Sequence, residues 1–151
     1  MKLNLGCSDR ILPEYLNVDL VDSGQMWFQQ ADLSQPWPWE DSSIEEIVAD
    51  DIIEHLPDKI LTMNEIHRVL IPGGLVHIFV PTTDGRGAWQ DPTHVSYWNR
   101  NSFLYYTQND PHYTRFHEAY GIHGCFRVVS EKMDEYPGGV TKLSITLAAV
   151  K

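Results

Sequence analysis

The stretch Leu-Asn-Leu-Gly-Cys-Ser-Asp-Arg at Leu3–Arg10, followed by Asn-Val-Asp at Asn17–Asp19, decides how the fold is interpreted. The run from residue 2 to residue 5 has strand length, and Gly6 ends it. A glycine there lets the backbone turn sharply beside a ligand, because it has no Cβ. Asp19 closes the next run, where a carboxylate can accept hydrogen bonds from both ribose hydroxyls. An ordinary strand–turn–strand would explain the same residues, so this motif alone leaves both interpretations open.

Apolar runs of strand length recur along the rest of the chain. They are predicted at residues 15–20, 26–33, 44–49, 75–80, 126–129 (with an extension to 133) and 143–150. A helix is predicted at 57–70, and Pro72-Gly73-Gly74 ends it. Pro137-Gly138-Gly139 reads as a turn between the last two strands, which are therefore expected to be antiparallel. The pattern predicts a single-domain α/β fold over residues 1–151, Rossmann-like, with a mostly parallel sheet and an antiparallel C-terminal strand pair.

The connections between the first strands are too short for helices. A helical crossover between parallel strands needs about a dozen residues, and Cys7–Glu14 and Val21–Gln25 are shorter. We therefore expect reduced helices between the first strands and a sheet face without helical cover. The segment 82–124 or a second subunit would bury that face, which makes a homodimer a prediction. The aromatic residues expected to help there are Trp27, Phe28, Trp37 and Trp39.

The composition excludes several classes of protein. The formal net charge is −10, and no run of Lys or Arg is present, so nucleic acid is a poor partner. No apolar run approaches the roughly 18 residues of a membrane span, and the N-terminus has no signal-peptide pattern. Two cysteines make no disulfide framework. We expect a cytoplasmic protein that acts on a small molecule.

Acidic residues follow the third and fourth predicted strands. Asp32, in Ala-Asp-Leu, could accept a hydrogen bond from an adenine amino group or cap its own turn. Asp50 and Asp51 lie just past a strand, at the edge where open α/β sheets bind ligands. Glu54 and His55 could belong to the same site or form a structural pair that anchors the following helix. The sequence leaves those two interpretations even.

Taken together, the ordered motifs resemble a known family. LNLGC…NVD, ADL, IVADDIIEHL, EIHRVLIPGG and VHIFVP resemble the class I S-adenosylmethionine (SAM)-dependent methyltransferases, and are closest to the small enzymes grouped with the type 11 methyltransferase domain. Asp91–His94 and Asn99–Phe103 resemble a D-P-T-H…P-E-S-F stretch of those proteins. The resemblance covers nearly the whole chain, and the order and spacing of the motifs carry it. It implies an enzyme that uses SAM as its cofactor and methylates a small-molecule acceptor.

The resemblance also implies a cofactor site. Gly6 would hold the methionine part of SAM, Asp19 the ribose and Asp32 the adenine, with Leu33 beside it. The full set of predicted cofactor-binding residues is Leu5, Gly6, Cys7, Asp19, Leu20, Asp32, Leu33, Asp50 and Asp51. Ser8 stands where the family's second glycine is expected. This departure keeps open an alternative, a non-catalytic SAM-binding or interaction module with the same fold.

The segment 82–125 is the predicted substrate or cap segment, since long loops on an α/β scaffold commonly carry specificity. Its aromatic residues could equally cover the exposed sheet face. His94 is the first candidate for a base or acceptor-orienting residue, because neutral imidazole suits physiological pH. Asp51, His55 and Asp91 are weaker candidates. The spacing of His94, His112, His117, His123 and Cys125 fits no standard zinc pattern, so no metal site is predicted.

Overall fold

The computed structural model describes residues 1–22, 24 and 26–151. In these residues one seven-stranded sheet is formed. Its strands are β1 (Lys2–Leu5), β2 (Leu16–Asp19), β3 (Phe28–Gln30), β4 (Ile44–Asp50), β5 (Leu70–Pro81), β6 (Phe126–Tyr136) and β7 (Val140–Ala149). The helices are α1 (Lys59–Val69), α2 (Gly87–Gln90) and α3 (Pro111–Tyr120), with a 3-10 turn at Ile53–His55 and a 3-10 helix at Arg100–Tyr106.

The strand order confirms the predicted fold class. The sheet runs β3-β2-β1-β4-β5-β7-β6. Strands β1 to β5 are mutually parallel, and β7 is antiparallel to both of its neighbours. The chain order reverses between β1 and β4, which is the point where doubly wound sheets bind ligands at the carboxyl ends of their strands. The position of β7 between β5 and β6 lay outside the sequence prediction.

Strands β3 and β5 differ most from the prediction, while β6 and β7 each extend about three residues further toward the turn that joins them. Strand β3 covers only Phe28–Gln30, because just three residues pair with β2. Strand β5 begins at Leu70, directly after α1, rather than at residue 75. Residues 71–74 lie out of register with β4 and include Gly73 at φ +76°. The Pro-Gly-Gly motif therefore ends the helix as predicted but forms a bulge within a strand.

A single buried cluster covers one face of the sheet. Leu3, Ile47, Ile78 and Ile145 alternate inward along their strands. Further members are contributed by α1 (Met63, Ile66, Val69), by the loop after β3 (Trp37, Trp39) and by segment 82–125 (Trp98, Phe103, Tyr106, Ile122). Trp37 and Trp39 are thus buried on the face that α1 covers and not on the face expected to lack helices, and Trp27 is 74% exposed, so the predicted covering role was wrong for these three.

The opposite face of the sheet carries a row of half-buried polar side chains. The Glu46 carboxylate lies 2.7 Å from Lys2 Nζ and 3.0 Å from His77 Nε2, and His77 Nδ1 lies 3.1 Å from Thr146 Oγ1. In the described residues no helix occurs between Leu5 and Phe28, as the short crossovers predicted. Because these side chains pair with one another across four strands, this face of the sheet needs less burial by another segment or subunit than the sequence analysis expected. A homodimer stays a prediction.

The C-terminal end of segment 82–125 is tied to α1 through the half-buried side chain of Asn64. Asn64 Nδ2 donates to the carbonyl of Gly121 at 2.8 Å. Its Oδ1 accepts from the backbone N–H groups of His123 at 2.8 Å and Gly124 at 2.9 Å. The far end of the segment is therefore fixed against α1. None of the helices in the described part of the chain has the length and apolar character of a membrane span.

Candidate functional site

A cavity of about 470 Å³ opens at the carboxyl ends of β1, β2 and β3. It brings together five of the predicted cofactor residues: Gly6, Asp19, Leu20, Asp32 and Leu33. The remaining lining residues, which the sequence analysis did not assign to the cofactor, are Ala31, Ser34, Ile52, His55, Leu56, Pro57 and Val95. Three strand tips that are separate in sequence therefore share one concave surface, of a size typical for small-molecule sites.

The turn at Gly6 forms the base of this cavity. Gly6 has φ +60°, and a Cβ at this position would lie 2.6 Å from the side chain of Ile52. Two features therefore require glycine at this position: the left-handed backbone angle and the close approach of the Ile52 side chain. The Cys7 N–H donates to the carbonyl of Val18 at 3.0 Å, which joins the turn to β2. Ser8 keeps φ +45°, a left-handed conformation that glycine adopts more easily.

Asp19 is held rigidly at the tip of β2. Its Oδ2 accepts from the Ser8 N–H at 2.9 Å, and its Oδ1 accepts from the N–H groups of Leu20 at 2.7 Å and Val21 at 3.4 Å. A carboxylate offers about four lone-pair positions, so at least one remains for a ligand hydroxyl. The residue thus fits the ribose role that the family resemblance implies, and it also fixes the Gly6–Ser8 turn.

Asp32 accepts hydrogen bonds within its own turn and also lines the cavity. Its Oδ1 accepts from Ser34 N–H at 2.9 Å and from Ser34 Oγ at 2.7 Å. These hydrogen bonds lower the pKa of the Asp32 carboxyl below its usual value. The second oxygen stays available to an adenine amino group. Both interpretations that the sequence left open are compatible with this geometry.

Four predicted cofactor residues lie outside this cavity. Leu5 is 2% exposed and points into the core, because alternate side chains of β1 face opposite ways. Cys7 and Asp50 line a neighbouring cavity of about 260 Å³ that shares Gly6. Asp50 forms an ion pair with Arg10, which directs its carboxylate to that side of the turn. Asp51 lines a further cavity, next to the first.

That further cavity, of about 210 Å³, lies beyond the ends of β4 and β5. Its lining residues are Asp51, Glu54, His55, Pro81, Gly87, Gln90, Asp91, His94, Val140 and Lys142. His55 also lines the 470 Å³ cavity, so the two spaces adjoin. All four residues proposed from sequence for catalysis are thus brought together. Lys142 was missed, because nothing in the sequence places β7 beside β5.

The two histidines of this smaller cavity are held by backbone groups. His94 Nδ1 lies 3.1 Å from the Ala88 carbonyl, and His55 Nδ1 lies 3.2 Å from the Thr93 carbonyl. A carbonyl only accepts, so each Nδ1 carries the proton and each Nε2 presents a lone pair. The rings pack edge to face with centroids 4.9 Å apart. Both imidazoles are therefore oriented before any ligand binds.

Glu54 is buried next to these rings without compensation. Its side chain is 2% exposed, and neither carboxylate oxygen has a hydrogen-bond partner. Burial raises the pKa of Glu54 to about 7. Oδ1 of Asp51 is likewise buried and unpartnered, while its Oδ2 accepts from Lys142 Nζ. The structural Glu54–His55 pair considered from sequence is not formed by the Glu54 side chain.

The predicted substrate segment divides into two parts. Residues 87–95 contribute to both cavities, through Gly87, Gln90, Asp91, His94 and Val95. Residues from Trp98 to Ile122 contribute aromatic and aliphatic side chains to the core. From sequence, the segment's aromatic residues could have a ligand role or a covering role. The first part lines the two cavities described above, whereas the second part contributes to the core and also lines a separate cavity of about 540 Å³, through Ser102, Tyr105, Tyr106, Tyr120 and Ile122.

Comparison with known proteins agrees with this architecture. Residues 10–78 match the family model described as a methyltransferase domain. No curated protein sequence matches the chain. A SAM-dependent methyltransferase from Methanosarcina mazei superposes with a TM-score of 0.68 at 13% identity, over 99% of this chain and 92% of that one. A SAM-dependent methyltransferase from Archaeoglobus fulgidus gives 0.62 at 14% identity, over 97% and 85%.

A third similar structure contains ligands. The 1,6-didemethyltoxoflavin-N1-methyltransferase of Burkholderia thailandensis, with bound 1,6-didemethyltoxoflavin and S-adenosylhomocysteine, has a TM-score of 0.66 at 15% identity, over 99% of this chain and 71% of that one. These identities establish a shared fold, and the family model adds a match in sequence. The chain therefore has the fold of the SAM-dependent methyltransferases, and residues 10–78 match a methyltransferase domain in sequence.

Proposed function

We propose that this protein transfers a methyl group from SAM to a small polar acceptor. SAM would occupy the 470 Å³ cavity, and the acceptor would occupy the 210 Å³ cavity. The observation that carries the proposal is the shared wall at His55, which places a nucleoside-sized space directly beside a smaller polar one. A transferred group needs to cross only this junction.

The chain's own residues supply positioning in the larger cavity. Asp19 offers a lone pair for a ribose hydroxyl, Asp32 offers Oδ2 for an adenine amino group, and Leu33 is a buried apolar residue beside it. When bound, SAM supplies a methyl group on a sulfonium, which is already a good leaving group. The protein's main tasks are therefore to orient the reactants and to exclude water.

The smaller cavity selects the class of acceptor. Its walls present the carboxylates of Asp51, Glu54 and Asp91 and the unprotonated Nε2 of His94. These are hydrogen-bond acceptors, so they favour a ligand that donates hydrogen bonds through hydroxyl or amine groups. The volume of about 210 Å³ suits a small molecule. We assign His94 to orienting the acceptor, through a hydrogen bond accepted at Nε2.

A cytoplasmic location is part of the same proposal. Cys7 and Cys125 are both free thiols, and Cys7 is buried. Free cysteines are usual in the reducing cytoplasm. The net charge of −10 supports a small-molecule acceptor over a nucleic acid, because a polynucleotide backbone requires a basic surface.

Calorimetric titration with SAM and with S-adenosylhomocysteine tests the cofactor assignment. We expect one molecule bound per chain for each ligand, and no binding of a nicotinamide dinucleotide. Absence of SAM binding at millimolar ligand would refute the proposal. The same titrations, followed by transfer of labelled methyl groups to a panel of hydroxyl- and amine-bearing metabolites, separate an enzyme from a non-catalytic SAM-binding module. His94→Ala is expected to lower turnover and to leave SAM affinity within about twofold, since it removes one acceptor-side hydrogen bond.

A further inference from the structure

We propose that Glu54, His55 and His94 form a binding site for a divalent first-row transition-metal ion, with open coordination positions toward the 210 Å³ cavity. In the described part of the chain these three residues make up the one group of His, Cys, Asp and Glu side chains close enough together to hold an ion. Their ligand atoms all lie within 4.8 Å of one another. The sequence analysis predicted no metal site, because the spacing of His94, His112, His117, His123 and Cys125 fits no standard zinc pattern. It did not group His94 with Glu54 and His55, which are distant from it along the chain.

The buried carboxylate is the first argument for this site. Glu54 has two oxygens that are shielded from solvent and accept no hydrogen bond. An uncompensated buried carboxylate is costly, and folded proteins pair such groups or use them to coordinate metals. His94 Nε2 lies 3.9 Å from Glu54 Oε1, beyond hydrogen-bond distance. The separation leaves room for an ion between the two groups.

The orientation of the histidines is the second argument. Metal-binding histidines commonly donate their other ring N–H to a carbonyl or carboxylate, which fixes the tautomer and aims the free nitrogen. His94 donates in this way to the Ala88 carbonyl, and His55 donates to that of Thr93. Nε2 of His94 thereby lies on the side of Glu54, 3.9 Å from its Oε1, and one ring nitrogen of His55 lies within 4.8 Å of the other two ligand atoms. Metal–ligand bonds of about 2.0–2.2 Å would require the three side chains to move closer together.

The scaffold around the three ligands is preorganised. The backbone carbonyl of Glu54 accepts from the N–H groups of Val95 at 2.9 Å and Ser96 at 3.0 Å. The Ser96 hydroxyl donates to the carbonyl of Ile53 at 2.9 Å. These bonds clamp the segment that carries His94 against the 3-10 turn that carries Glu54 and His55. The ligand geometry therefore rests on rigid backbone rather than on mobile side chains.

Asp91 completes the surroundings on the open side. Its Oδ1 accepts from the Thr93 N–H at 2.8 Å and from the Thr93 hydroxyl at 2.6 Å. Its Oδ2 lies 3.9 Å from His94 Nε2, so it could bind an ion or a metal-bound water. Two imidazoles and one carboxylate favour ions that bind nitrogen ligands well, such as Zn²⁺ and Co²⁺, over Mg²⁺ or Ca²⁺, whose ligands are mostly oxygens. The donor set thus selects the class of ion.

An ion at this position would also restrict which molecules can serve as the methyl acceptor. Nε2 of His94 would then bind the ion, so His94 would orient the acceptor through the metal instead of through a direct hydrogen bond. Three protein ligands leave positions open toward the smaller cavity, and these suit an acceptor that presents two adjacent oxygen atoms. This assignment of the acceptor rests on the proposed methyl transfer, whereas the metal site itself does not.

Calorimetric titration of the chelator-treated protein with Co²⁺, Mn²⁺, Zn²⁺ and Mg²⁺, without SAM, tests the site. We expect one transition-metal ion per chain, weaker binding of Mg²⁺, and a higher Tm with metal that a chelator reverses. Glu54→Gln and His94→Ala should each weaken binding at least tenfold, and His94→Ala should change the visible absorption of bound Co²⁺ because a nitrogen ligand is lost. Glu54→Gln keeps the side-chain volume and removes a buried charge, so it is expected to stay folded.

The matched controls are Glu46→Gln and His77→Ala, which alter a carboxylate–imidazole pair on the opposite sheet face. Both should bind metal as the unchanged protein does. The site is overturned if the folded protein binds none of the four ions, or if Glu54→Gln and His94→Ala bind as tightly as these controls. SAM titration in excess chelator tests the proposed function separately. If the protein binds SAM but no metal ion, only the proposed metal site is refuted.

Discussion

Gly6 and Ile52 are in direct contact at the base of the larger cavity, where a Cβ on Gly6 would lie 2.6 Å from the Ile52 side chain. We expect Gly6→Ala to destabilise the fold by about 2–4 kcal/mol, since a left-handed backbone angle and an overpacked contact both oppose the added methyl group. SAM affinity should fall as well, because Ile52 is a wall of the cavity. Urea unfolding and SAM calorimetry measure the two effects.

Gly121→Ala is the control for this variant. Gly121 has φ +69°, and a Cβ there would meet nothing within 4 Å. Gly121→Ala should therefore lower the free energy of unfolding by about 1 kcal/mol, through the left-handed backbone angle alone. Adding Ile52→Ala to Gly6→Ala should recover part of the stability through relief of the contact. Equal costs for Gly6→Ala and Gly121→Ala would show that the contact with Ile52 is unimportant.

Asp19→Asn tests the proposed ribose ligand. The asparagine amide has one oxygen acceptor in place of two. Its NH₂ group would face the N–H of Ser8 or of Leu20, each of which donates a hydrogen bond to the Asp19 carboxylate in the unchanged protein. We expect SAM affinity to fall about 10- to 100-fold, the range for loss of a hydrogen bond to a charged group, and stability to fall by about 1–2 kcal/mol. Asp22→Asn is the control, because Asp22 accepts a hydrogen bond from the Gly24 N–H and is not among the described residues that line the cavity. Unchanged SAM affinity in Asp19→Asn would remove Asp19 from the site.

Ser8→Gly tests whether the departure from the family's glycine loop weakens the cofactor site. Ser8 has φ +45° and is exposed. Glycine removes a left-handed penalty of about 1–2 kcal/mol and adds unfolded-state entropy of about 0.5–1 kcal/mol, so a net gain of about 0.5–1 kcal/mol is expected. SAM affinity should hold or improve a few-fold, because the turn keeps its shape and gains room. Weaker SAM binding in Ser8→Gly would mean that the serine side chain contributes to the site.

The Glu65–Arg68 pair should make stability depend on acid pH. Arg68 Nε donates to Glu65 Oε1 at 2.8 Å, and the Trp37 N–H donates to Oε2 at 2.6 Å. The hydrogen bonds from Arg68 hold the pKa of Glu65 below its usual value. The stabilisation is complete above the ordinary carboxyl pKa and is lost as the pH falls through the lowered one.

Glu65→Gln isolates that contribution. We expect it to cost about 2–3 kcal/mol at neutral pH, less than for a fully buried pair because the Arg68 side chain is 31% exposed. The difference between the two proteins should shrink as urea unfolding is repeated from pH 6 down to pH 3. A difference that is constant with pH would assign the loss to packing rather than to the ion pair.

Local patterns in the sequence sufficed for several elements. Strand β1 and the turn at Pro137–Gly139 follow from short runs and from residues with strong backbone preferences, which act within a few positions. That Gly6, Asp19 and Asp32 share one cavity could also be predicted from the sequence, because parallel strands present their carboxyl ends at the same edge of the sheet. By contrast, the inward direction of Leu5 and the pairing of Asp50 with Arg10 depend on which face the core occupies.

The sequence by itself determined the fold class, most strand positions and the three strand tips of the larger cavity, because periodicity and turn chemistry are local properties. Only the tertiary structure decided the insertion of β7 between β5 and β6, which brings Lys142 to Asp51, and the convergence of His94 on Glu54. Those relationships arise from long-range strand pairing and burial, whose partners no local pattern encodes.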